Sequence, residues 1–176
     1  MQSMDEKQAQ RVWSRVMSPG AAPAPPCAAA AQPKTAGAQS AQAPGTQPLS
    51  QTQLSGLIHD ALCGCAAYRE LARRMKGSPA RMLSWLASQE QCHAKKLAAV
   101  YFLMTGKKLC PEPVRPPCIT CVGETLRERY RAERQSAEVC CALACGAGEY
   151  QCLLQTLARE ECEHAAKILC ILQNCL

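Results

Sequence analysis

Aromatic side chains are scarce in this chain: 4% of 176 residues, with a single phenylalanine. That shortage argues against a β-sandwich or barrel, which draws on β-branched and aromatic residues to fill the space between sheets. Long hydrophobic runs are missing too. No apolar stretch reaches the roughly 18 residues that a membrane span requires. The opening MQSMDEKQAQRVWSRVM is polar where an export signal has an apolar centre. A cytoplasmic protein with no membrane partner is expected. Charge is only mildly unbalanced, at +6, with no concentrated basic stripe, so nucleic acid is not an expected partner. Cysteine breaks this pattern of scarcity. Fourteen cysteines approach the density of a disulfide scaffold, but such scaffolds are normally short and secreted. In a reducing compartment most of these thiols should stay reduced, and a buried one behaves as a small apolar residue.

Proline, alanine, glycine and glutamine dominate residues 18–50, where Leu49 is the one large apolar side chain. Such a segment buries too little surface to offset its conformational entropy and reads as a flexible, disordered linker. Residues 1–17 before it hold a short helix candidate, with Val12 and Val16, and Trp13 and Met17, each one turn apart. Regular patterning begins at Leu54. Leu54, Ile58, Ala61, Cys65, Tyr68, Ala72 and Met75 form one helical stripe. Gly77, Ser78 and Pro79 interrupt it, with Ser78 as the expected N-cap and Pro79 at the first helical position. A second stripe runs through Leu83, Leu86, Glu90, His93, Leu97, Val100 and Met104, and ends at Thr105 and Gly106. Residues 107–123 contain four prolines and read as a connection. The third stripe is Leu126, Tyr130, Glu133, Ala137, Cys140 and Ala144. After Gly146 and Gly148, the fourth is Tyr150, Leu154, Leu157, Glu161, His164, Ile168, Ile171 and Cys175.

Four amphipathic helices make residues 51–176 an all-α, four-helix bundle domain. The first and second, and the third and fourth, are joined by tight turns and so run antiparallel. A 25-residue helix is about 37 Å long, whereas an extended 17-residue segment spans about 55 Å. The proline-rich connection is therefore long enough to carry the chain back and leave the second and third helices parallel. One long crossover between two helical hairpins is the ferritin-like topology.

Three seams carry residues that an apolar interface excludes. Glu90 and His93 lie on the second, Glu133 on the third, and Glu161 and His164 on the fourth. A buried, unpaired carboxylate is expensive, so these positions need a cation, a metal or a hydrogen-bond network. Glu-x-x-His puts two ligands on one helix face about a turn apart. Two such pairs, with glutamates from the other two helices, can enclose two metal ions. Carboxylate and imidazole donors suit Fe, Mn or Zn. A solvated charged face is the plain alternative. With three histidines among 176 residues, however, two Glu-x-x-His pairs both falling on apolar seams exceed chance. Leu-x-x-Leu-x-x-x-Glu-x-x-His also starts at Leu83 and again at Leu154, so the chain reads as a duplicated hairpin. Aligning Tyr68-Arg-Glu-Leu-Ala with Cys140-Cys-Ala-Leu-Ala sets Ala61 opposite Glu133. One expected ligand is thus an alanine. Asp60 points about 100° away around the helix, and Cys65 shares the seam one turn on, as a thiolate ligand or as packing.

The segments LIHDALCGCAAYRELARRM, SQEQCHAKKL, RYRAERQSAEVCCALA and LAREECEHAAKIL resemble the rubrerythrin-type ferritin-like di-iron proteins, particularly small stand-alone forms of anaerobic Firmicutes. The resemblance spans the whole domain. It implies that Glu90 and Glu161 bridge two metals, that Glu133 and His164 complete one, and that His93 serves the other. Where that family has Asp-Glu-Leu in the first helix, Asp60-Ala61-Leu62 stands here. One or two iron ions per chain are expected, with Mn or Zn as substitutes. Only twelve residues follow His164, so a rubredoxin-type module is not expected within the chain and electrons would come from a separate protein. Ferritin-like bundles often pair, which makes a homodimer a further expectation. Cys118-x-x-Cys121, with Cys110 upstream, lies in the crossover; a four-thiolate site would need a second pair. An exposed, oxidisable pair and an inert one both remain open.

Three functions fit these features. The first is a non-haem iron protein handling peroxide or oxygen in an anaerobe's cytoplasm. The second is a catalytically degenerate metal-binding or structural and regulatory bundle. The third is an iron-storage subunit, for which the sequence offers no shell-forming surface.

Overall fold

A computed structural model describes residues 48–175, so the helix expected over 1–17 and most of the linker lie outside the described residues. The described chain is helical, without strands, and consists of α1 (Gln51–Arg74), α2 (Gly77–Thr105), α3 (Val122–Ala144), a single 3-10 turn (Gly148–Tyr150) and α4 (Gln151–Cys175). Among the described residues, no helix is long and apolar enough to cross a membrane.

Local sequence sets the ends. Ser50 caps α1 through a reciprocal pair: its hydroxyl accepts from the Gln53 backbone N–H at 3.2 Å, and its own N–H donates to the Gln53 side chain at 2.8 Å. The cap places Leu49, inside the expected linker, against the core, so packed chain begins slightly earlier than composition suggests. Gly106 ends α2 with φ +67°, and its N–H reaches the Phe102 carbonyl at 2.8 Å, a left-handed cap that glycine adopts without strain. The start of α2 differs from expectation. Its N-cap is Lys76, with no side-chain cap, and Ser78 falls inside the helix. Gly77 has φ +67° and turns the chain within two residues of α1, leaving Ser78 no capping role.

Helices α1 and α2 pack together as one hairpin, and α3 and α4 as another. Two apolar cores show how the hairpins are oriented. One core joins Leu54, Leu57, Ile58 and Ala61 of α1 to Leu97 and Val100 of α2, Cys140 and Ala144 of α3, and Leu154 and Leu157 of α4. The other joins Cys65, Tyr68 and Leu71 to Leu83 and Leu86, Leu126 and Tyr130, and Ile168 and Ile171. The end of α2 thus lies with the end of α3, and the two run parallel, as the crossover predicts. Residues 106–121 return the chain along the molecule, pinned where the Ile119 side chain is buried and its carbonyl accepts from Arg74 Nη1 at 2.7 Å. The stripes are buried nearly as read. Met104 is exposed near the last turn of α2, Met75 and Tyr150 are half-buried, Leu71 rather than Ala72 completes the buried face of α1, and the Cys175 side chain lies outside the described residues. A polar layer separates the two cores.

Candidate metal centre

That layer is built from Glu90 and His93 of α2, Glu133 of α3, and Glu161 and His164 of α4. All five are buried, none more than 4% exposed. Each Glu-x-x-His pair projects from one face of its helix, and because α2 and α4 contribute equivalent pairs, the two imidazoles stack with centroids 5.1 Å apart and planes inclined by 14°. Glu90, His93, Glu161 and His164 each offer a ligand atom, and these four atoms lie within 4.8 Å of one another. This group can hold a metal ion.

Contacts within the group are close. His164 Nδ1 lies 2.9 Å from Glu90 Oε1 and 3.3 Å from Glu161 Oε2. His93 Nδ1 lies 3.1 Å from Glu161 Oε1. Ser136 Oγ donates to the same Glu161 oxygen at 3.4 Å. Burial alone would lower the pKa of both histidines. For His164, hydrogen bonds to Glu133, Glu161 and Glu90 overcome burial and raise it to about 11. For His93, Glu161 and then Glu90 outweigh burial, and the pKa is again raised. The carboxylates divide. Burial pushes Glu90 up to about 7 against the pull of His164. Glu161 is lowered well below the carboxylate range, because hydrogen bonds from the two imidazoles more than offset its burial.

Two features fit a metal ion. Glu161 Oε2 is buried and lacks a well-formed hydrogen bond, with His164 Nδ1 beside it at 3.3 Å. The donor set is two carboxylates and two imidazoles, which matches Fe, Mn or Zn and not a soft, thiolate-seeking metal. The far nitrogen of His93 is also supported. Its Nε2 lies 2.9 Å from Glu160 Oε2, which Lys96 Nζ also contacts at 3.0 Å. A carboxylate on the outer nitrogen is the usual way to orient a metal-binding imidazole. Glu160 sits beside the Glu161 stripe and its partner is on another helix, so periodicity does not single it out.

Glu133 stands apart. Its Oε2 lies 3.4 Å from His164 Nδ1, but its Oε1 accepts from Arg129 Nη2 at 2.9 Å and from the Tyr68 hydroxyl. Tyr68 is fully buried, and burial together with Glu133 holds its pKa well above the ordinary value. The Arg129 guanidinium also rests over the Tyr68 ring, 5.3 Å from its centroid. Arg129 precedes Glu133 by one helical turn, a signal that was readable; its turn inward over Gly64 was not.

Ala61 is buried, and no neighbour replaces the carboxylate expected there. Asp60 is exposed and Cys65 points elsewhere, its Sγ 3.9 Å from Gln91 Oε1; neither joins the ligand group. A cavity of about 210 Å³ opens beside Ala61, lined by Glu90, Arg129, Glu133, Ser136 and Glu161 among others. In the crossover Cys110, Cys118 and Cys121 are exposed free thiols. Among the described residues they do not form a second metal-holding group.

No protein-family model, curated protein or solved structure matches this chain. The chemistry of the centre is therefore read from its own side chains.

Proposed function

We infer that residues 51–176 form a ferritin-like four-helix bundle of the rubrerythrin type, holding one non-haem iron ion between Glu90, His93, Glu161 and His164. The observation that carries this reading is the convergence of two Glu-x-x-His pairs from α2 and α4, four donors within 4.8 Å, in a layer buried between two apolar cores. Ordinary surface charge does not assemble this way, because each buried carboxylate needs compensation. Bound iron supplies one-electron chemistry and Lewis acidity toward a small oxidant such as peroxide or oxygen. The chain's own residues orient and admit. Glu160 fixes the His93 ring, Ser136 steadies Glu161, and the cavity beside Ala61 leads to Glu90 and Glu161. Electrons would come from a separate protein.

One observation favours a second reading, a structural or regulatory metal-binding bundle. Arg129 and Tyr68 already occupy Oε1 of Glu133, which leaves this carboxylate at most one oxygen for any larger metal set. The experiment that separates the two is elemental analysis of protein expressed and purified without oxygen in iron-rich medium, followed by a peroxide-consumption assay. About one iron per chain with consumption above free iron supports the iron enzyme. One metal without turnover supports the structural reading. No metal at all rejects both.

A further inference from the structure

The internal duplication implies two equivalent half-sites, yet the two halves differ where they meet. The alignment that sets Ala61 opposite Glu133 also sets Leu57 opposite Arg129 and Gly64 opposite Ser136. On α1 a carboxylate is gone, and a glycine follows one turn later. On α3 an arginine has appeared one turn before the glutamate that remains.

These differences fit together in space. A Cβ on Gly64 would stand 3.2 Å from Arg129 Nη2, 3.2 Å from Glu90 Oε2 and 3.1 Å from Glu90 Cγ. The guanidinium and the Glu90 carboxylate therefore flank the same gap, which is open because position 64 has no side chain. Arg129 Nη2 binds Glu133 at 2.9 Å from this position, and the head group lies over the Tyr68 ring. It also lines the cavity left beside Ala61. Arginine remains charged in proteins and matches carboxylate geometry, so its head group meets the need for positive charge on this side of the layer.

We propose that Arg129 is a built-in cation that takes the place of a second metal ion, limiting the centre to one ion. The proposal rests on the reading that the chain holds a metal. Two cations on the Glu133 and Glu90 side would repel across a few ångströms of low-dielectric interior. The metal is thereby confined to the four-donor group, while Glu133 keeps Oε1 on Arg129 and Tyr68 and turns only Oε2 toward His164. Ala61, Gly64 and Arg129 form one device: two small residues on α1 make the room that the arginine from α3 fills.

The test is metal content per chain, by elemental analysis after anaerobic loading with ferrous iron, for the full-length wild type, Ala61→Glu, and the double variant Ala61→Glu, Arg129→Ala. We expect one iron in the wild type, one in Ala61→Glu and two in the double variant. A second ion in Ala61→Glu with Arg129 in place overturns the proposal. So does a folded double variant with no gain over the wild type. A wild type without metal defeats the metal-binding reading, while the gain or lack of gain in the double variant still decides the role of Arg129. Should the double variant fail to fold, a crystal structure of the iron-loaded wild type decides instead, by anomalous scattering. One ion with Arg129 on Glu133 supports the proposal; two ions with the guanidinium swung away overturn it.

Discussion

In the first hairpin, the helix facing the polar layer presents Ala61 and Gly64; in the second, the equivalent positions hold Glu133 and Ser136. The partner helices kept their pairs, Glu90 with His93 and Glu161 with His164, but not their surroundings. His93 has Glu160 and Lys96 outside it. His164 instead meets the edge of Trp85, centroids 5.8 Å apart, with Lys167 lying over that indole. Lys96 and Lys167 are equivalent in the repeat, yet one supports a carboxylate and the other covers an aromatic ring. The repeated motif thus covers the ligands, whereas the groups around them differ, because each imidazole takes its outer partner from the opposite hairpin.

Breaking the Arg129–Glu133 pair should have the largest effect. Glu133→Ala leaves a guanidinium partly buried without its carboxylate and is expected to cost about 3–5 kcal/mol, read as a drop in the urea midpoint. A loss under 1 kcal/mol would show that Arg129 escapes to solvent. Next come the repeated leucines. Leu83 and Leu154 are equivalent and buried in opposite cores, so Leu83→Ala and Leu154→Ala should each lose about 2–5 kcal/mol. A large inequality between them would mean that the two cores are not equally packed. Gly64→Ala brings a methyl group against the Glu90 and Arg129 side chains; the overpacking cost of about 1–3 kcal/mol is offset by about 1 kcal/mol of helix propensity, leaving an expected net loss of up to about 2 kcal/mol, read in the urea midpoint.

Glu160→Gln is expected to weaken metal binding about 10–100-fold while leaving the fold intact, measured by competition with a chelator. Unchanged affinity would remove Glu160 from the centre. The smallest effect concerns two adjacent thiols of α3. Cys140 is buried, which pushes its pKa up to about 12, whereas Cys141 is exposed. Alkylation at neutral pH should label Cys141 and leave Cys140 unmodified until the protein unfolds, as peptide mapping would record; equal labelling contradicts the packing of that seam.

Much of this architecture could be read from residue spacing. The four stripes, the tight turns at Gly77 and Gly146–Gly148, and the crossover long enough to reverse the chain all follow from local rules that tertiary contacts did not override. The buried Glu-x-x-His pairs were visible for the same reason: a helix places every third or fourth residue on one face. Local rules failed at the start of α2. There a left-handed glycine, and not the serine after it, makes the turn, because a two-residue connection left no room for a cap.

From the sequence alone came the helical class, the duplication, the five polar residues of the seams and the absence of a carboxylate at position 61. Those features depend on periodicity and residue type, which the chain carries locally. Tertiary structure alone decided that the donor atoms of Glu90, His93, Glu161 and His164 come within 4.8 Å of one another, that Glu160 backs His93, and that Arg129 turns inward over Gly64 to hold Glu133. Each of these is a meeting between different helices. Its distance depends on how the hairpins pack, and no spacing along one strand of sequence encodes which side chain will fill the gap left by another.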